Sequence, residues 1–145
     1  MKTILWSLLI AMFMQKASFA AEFTLIGEGG DSESHVTRAY HISDDTTYAD
    51  IKVHMAEMKD YRDTHTQTPG EIYGWIIDVV YFKEGCSEKG CLSELNRADS
   101  DTKVIDFLSD YLSKTPASFN GLYRWGKENN ILDCSKPENA YYWCI

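Results

Sequence analysis

Beyond residue 14 the 145-residue chain has no apolar stretch approaching the roughly 18 to 20 residues that a membrane-spanning helix requires. It also has no Gly-x-Ser-x-Gly elbow, no His-Glu-x-x-His, and no glycine-rich loop followed by Gly-Lys-Ser/Thr. These absences argue against an elbow-type serine hydrolase, a zincin and a P-loop nucleotidase. The one glycine cluster, Gly27-Glu28-Gly29-Gly30-Asp31-Ser32, lacks the phosphate-binding lysine and carries acids that would repel a phosphate, so it reads as a flexible turn. Basic residues are few, 14 Lys and Arg against 22 Asp and Glu. A surface of that sign repels nucleic acid and anionic lipid headgroups and steers a basic protein toward it. Internal repeats, heptads and low-complexity stretches are absent as well.

Histidine is equally sparse. His35 and His41 lie near the N-terminus, and His54 and His65 are eleven apart, which on a helix is one face about three turns away and too far to share a metal ion. Asp50 and His54, at i and i+4, read as a solvated helix pair. Neither a catalytic residue, a metal site nor a cofactor site is expected. Because carboxylates are plentiful, a small periplasmic hydrolase acting through a Glu/Asp pair stands as an alternative, and an envelope chaperone or adaptor as another.

What is present begins at the N-terminus. Met1-Lys2-Thr3, an apolar run from Ile4 to Met14, and Ala17-Ser18-Phe19-Ala20 have the form of a secretory signal cleaved after Ala20. Residues 21–145 would then form one periplasmic domain, with no membrane contact after cleavage. Removing Lys2 and Lys16 with the signal leaves a net charge of −10 with histidine neutral. Cys86, Cys91, Cys134 and Cys144 make an even number, and an exported chain favours bridges. Of the three pairings, the short spacings favour Cys86 with Cys91 and Cys134 with Cys144, while a cross-pairing that ties the two regions together stays open.

The apolar pattern predicts a mainly α fold, a small disulfide-stapled bundle of about four helices behind a short N-terminal irregular or β segment around Glu22–Ile26. Tyr48, Ile51, Met55, Met58 and Tyr61 mark a first helix starting near Thr46/Thr47. Thr68-Pro69-Gly70-Glu71 is a capping box that would open a second, running through Trp75 to Phe82 and stopping at Gly85, with a buried strand from Trp75 to Phe82 as the competing assignment. A third starts near Asp99 to Asp101, carries Val104, Ile105, Leu108, Tyr111 and Leu112, and ends before Pro116; Thr115-Pro116 would open a fourth through Trp125. The tail Asp133–Ile145, with Tyr141-Tyr142-Trp143, would be held down by Cys144. Between the second and third helices, a Cys86–Cys91 bridge would close a rigid, charged knuckle, the best candidate for a contact surface because a rigid loop loses little entropy on binding.

Gly74-Trp75-Ile76-Ile77-Asp78-Val79-Val80 followed by a cysteine, then Thr102 to Leu112 with Lys114-Thr115-Pro116, and finally Ile131-Leu132-Asp133-Cys134, resembles the Tai-type family of periplasmic immunity proteins linked to type VI secretion. The match covers Gly74 to Cys134; the chain differs in having no cysteine in its first helix and in adding Cys91 and Cys144. The resemblance implies a periplasmic protein, not an enzyme, that binds and inhibits a basic peptidoglycan hydrolase effector, amidase or muramidase, by occluding its cleft. Glu84, Ser87, Glu88 and Lys89 on the knuckle would make the contacts, and the apolar excess leaves room for a homodimer.

Overall fold

A computed structural model describes residues 21–31, 35–65, 76–124, 130–139 and 144. In chain order its elements are β1 (Phe23–Asp31), β2 (His35–Ile42), α1 (Tyr48–His65), β3 (Ile76–Phe82), α2 (Asp101–Leu112), β4 (Phe119–Arg124) and β5 (Asn130–Asp133), with 3-10 turns at Leu95–Arg97 and Pro137–Asn139. The strands form one sheet in sequential order, in which β2 and β3 run parallel and the other neighbours antiparallel. The expected four-helix bundle is therefore overturned: among the described residues there are five strands and two α-helices, stacked as a three-layer sandwich.

The largest correction falls on Ile76–Phe82, expected as a helix and found as the central strand. Its residues alternate between two cores. Val79 and Tyr81 join Tyr40, Ile42, Phe119 and the α1 residues Ile51 and Met55, whereas Val80 and Phe82 join Ile26, Ala39 and the α2 residues Val104, Leu108 and Leu112. A strand covered on both faces has no polar side, so its sequence reads as an uninterrupted apolar run, which periodicity cannot separate from a buried helix. The Thr68–Glu71 capping signature lies outside the described residues. Thr115-Pro116 likewise opens no helix: Ser118 N–H donates to the Tyr81 carbonyl at 2.8 Å, and β4 pairs with β3 from Phe119 onward.

The other two expected helices are present, with only part of each expected stripe buried. Thr47 caps α1 in a reciprocal box, its hydroxyl accepting from Asp50 N–H while the Asp50 carboxylate accepts from Thr47 N–H at 2.8 Å. Ile51 and Met55 are fully buried, Met58 packs partly against them, and Tyr48 is exposed; the side chain of Tyr61 lies outside the described residues. Met55 passes over Gly121 of β4, where an added Cβ would stand 2.6 Å from its sulfur. On the opposite face α2 buries Val104, Leu108 and Leu112, half-exposes Ile105, and carries exposed Asp99–Lys103 and Asp110–Lys114 pairs on its outer side.

The glycine cluster expected to be a turn belongs to β1, which extends to Asp31. Residues 90–98 lie along the outer edge of this strand. Gly90 and Leu92 N–H donate to the carbonyls of Leu25 and Ile26, Glu28 N–H to Asn96 Oδ1, and Gly30 N–H to the Ala98 carbonyl. An edge that would otherwise offer free backbone groups is thereby covered. The glycines permit the approach: a Cβ on Gly29 would sit 2.3 Å from the Leu95 carbonyl oxygen.

Candidate functional site

Both favoured disulfides are formed, Cys86–Cys91 and Cys134–Cys144, with no free cysteine. The first creates the expected knuckle at the carboxyl end of β3. Gly85 (φ +87°) and Gly90 (φ +74°) adopt left-handed backbone at its two ends, conformations that a side chain would strain. At the near end, Cys86 N–H donates to the Tyr111 hydroxyl of α2 at 3.2 Å; at the far end, Gly90 is pinned to β1 and its carbonyl accepts from Asn96 Nδ2. Ser87, Glu88 and Lys89 are exposed between these anchors, and Glu84 is exposed just before the loop, on the stretch that leaves β3.

Beside the knuckle is a cleft of about 450 Å³ bordered by Asp44, Lys83, Glu84, Asp133 and Ser135. Lys83 is turned to the Asp44 carbonyl, 2.7 Å away. The Ser135 hydroxyl, donating to Asp133 at 2.7 Å, is the main cause holding that carboxyl below the usual carboxylate range. In the cleft lining Asp44, Glu84 and Asp133 outnumber Lys83, while on the knuckle Glu88 is balanced by the neighbouring Lys89.

At the opposite end of β2 and β3, His35 bridges three elements. Its Nε2 lies 2.6 Å from Asp78 Oδ2 on β3, and its Nδ1 lies 3.2 Å from Asp101 Oδ1 in the first turn of α2. The parallel register sets Thr37 opposite Asp78, so His35, Thr37 and Asp78 follow Ala39 and Val80 on the α2 face, where the apolar core gives way to polar groups. Hydrogen bonding to Asp78 raises the His35 pKa above its ordinary value, against the opposing effect of burial, with Asp101 adding to the rise. A groove of about 660 Å³ opens from this cluster along α2 to Pro116. The sequence contained no sign of this cluster, because His35 and Asp78 are 43 residues apart and meet only through strand pairing.

His54 is not a solvated partner of Asp50. Its ring is buried, stacked on Phe23 at 4.0 Å between centroids, with Nδ1 2.9 Å from the Tyr81 hydroxyl. Burial, and secondarily the Arg38 charge, lowers its pKa to about 4, so it is a neutral core histidine at neutral pH. Among the described residues no group of three or more His, Cys, Asp or Glu side chains is placed to hold a metal ion, and no helix is long and apolar enough to cross a membrane. Residues 1–20, with the expected signal, and Tyr141–Trp143 lie outside the described residues. Comparison of the chain with protein-family models, curated proteins and solved structures finds no match in any of the three.

Proposed function

We propose that the chain works outside the cytoplasm as an acidic inhibitor that binds a basic, peptidoglycan-degrading effector and blocks its cleft. The observation that carries this reading is the Cys86–Cys91 knuckle: three exposed polar and charged side chains, Ser87, Glu88 and Lys89, on a loop braced by a disulfide, by Tyr111 and by the β1 edge, with exposed Glu84 at its base. Such a loop has little conformational entropy left to lose on binding. Its neighbours Glu84, Asp44 and Asp133 make the adjoining cleft acidic, which suits a cationic substrate-binding groove on the partner. Two disulfides in a small chain agree with an oxidising compartment, and the periplasm is the compartment in which such an effector acts.

The reading draws little on the Tai-type resemblance, because Ile76–Val80 and Phe119–Arg124, expected as helices, are strands, and only the segment of α2 is helical. It rests on surface chemistry and on the residues of the loop. The test is to mix the mature chain with the product of the adjacent reading frame and to follow muropeptide release from purified peptidoglycan. Binding with suppressed release supports the proposal. Binding should weaken by about tenfold or more in Glu88→Lys at low salt, where charge reversal at an interface is least screened. An unchanged affinity would remove the knuckle from the interface, and muropeptide release by the chain alone would replace inhibition with catalysis.

A further inference from the structure

Met55 and Met58 are the only methionines after residue 20, and both belong to α1. About one turn apart, their sulfurs meet opposite surroundings. Met55 is fully buried, its sulfur laid against Gly121 of β4. Met58 is only partly buried, and its sulfur faces two donors from β2, Arg38 Nη1 at 3.2 Å and the Tyr40 hydroxyl at 3.9 Å. Arg38 Nε donates to the Glu28 carboxylate on β1, which holds the guanidinium with Nη1 toward the sulfur. A thioether is a weak acceptor, so a partly buried cation aimed at one gains little from it. A sulfoxide is a different partner, because its polar oxygen accepts a charge-assisted hydrogen bond, a kind roughly twice as strong as a neutral one.

We infer that Met58 is a modification site, at which a peroxide converts the thioether to a sulfoxide whose oxygen is held by Arg38 and Tyr40 while the fold is kept. A sulfur lone pair forms the S–O bond to one peroxide oxygen as the O–O bond breaks. The other oxygen leaves with the electron pair and takes up the proton of the transferred oxygen, so sulfur is oxidised, the peroxide is reduced and hydrogen peroxide yields water. Sulfur has two lone pairs, and the one contacted by Arg38 leaves the other for attack. Exposure selects Met58 over Met55, which has no surface for an oxidant to reach. The inference does not depend on the inhibitor reading, since α1 covers the face of the sheet opposite to the one on which Tyr111 of α2 anchors the knuckle.

The test is to treat the disulfide-bonded chain with dilute hydrogen peroxide. Tryptic cleavage after Lys52 and Lys59 releases one peptide, Val53 to Lys59, that holds both methionines, and its fragment ions locate the oxygen. In the folded chain Met58 should be oxidised at least about tenfold faster than Met55, and in concentrated urea the two should react alike. The Met58 sulfoxide form should unfold at a urea midpoint equal to or above that of the reduced form. In Arg38→Ala the same oxidation should lower the midpoint, because the sulfoxide there has lost its charged donor. Whatever that variant's own stability, the Arg38 Nε–H signal of the unsubstituted chain should shift on oxidation. Comparable rates at the two methionines of the folded chain, a midpoint that falls when the unsubstituted chain is oxidised, an equal effect of oxidation with and without Arg38, or an unmoved Arg38 signal would each overturn the assignment.

Discussion

Gly29 and Gly121 show how differently two glycines can serve one sheet. At Gly29 the obstacle to a methyl group is backbone, the Leu95 carbonyl oxygen 2.3 Å from the Cβ position, whereas at Gly121 it is the flexible Met55 side chain at 2.6 Å. Gly29→Ala should destabilise the protein by about 2 to 3 kcal/mol, as overpacking against a fixed wall does, and Gly121→Ala by less; urea unfolding of the two variants measures the order. The two interior histidines differ in the sign of their response to pH. His54 has a folded pKa of about 4, below the unfolded value of 6.5, so the unfolded chain takes up its proton first and stability is lost as pH falls from about 6.5 to about 4. His35 has a raised folded pKa, so its contribution is fully present below the unfolded value and is lost as pH rises through the folded one. Denaturant midpoints measured across both ranges should show the acid-side loss diminished in His54→Gln and the alkaline-side loss diminished in His35→Gln. Ring titration by NMR gives the two pKa values directly.

Among the elements, the knuckle and β3 are the informative pair. Closing a short loop restricts the unfolded chain, and for the Cys86–Cys91 separation of 5 the loop-entropy relation gives about 2 kcal/mol. Replacing both cysteines by serine should lower stability by about that amount. The fold should survive, because Gly90 and Leu92 remain tied to β1, but amide exchange at those two residues should quicken. For β3, the same residues that fill two cores hid the strand in the sequence. Val79 and Val80 point into opposite layers, so neither neighbour was free to be polar, and the apolar run resembled a helix hydrophobic all round. Helices α1 and α2 were legible because each buries one side only. In α1 the stripe at Ile51 and Met55 is followed by Met58, and in α2 the stripe at Val104, Leu108 and Leu112 is set against exposed Asp99–Lys103 and Asp110–Lys114 pairs.

For the whole molecule, net charge is the property with the longest reach. If the acidic cleft beside the knuckle meets a basic partner, raising the salt from about 0.05 M to about 0.5 M should slow association by about tenfold or more while changing dissociation little, which stopped-flow mixing separates. Composition and cysteine spacing were enough to establish the acidic character, the favoured disulfide pairs and the position of the exposed loop, because each is a local property: a charge count, a short closed loop, two flanking glycines. The two amphipathic helices were legible for the same reason, since a period of three and four residues is written along one segment. The sheet, its central strand and the His35–Asp78–Asp101 cluster were decided only in three dimensions. A residue buried from both sides loses the alternation that would reveal it, and a histidine acquires its carboxylate partners through the register of strands whose contacting residues are 43 positions apart, a pairing that depends on the layers packed around it rather than on any neighbouring residue.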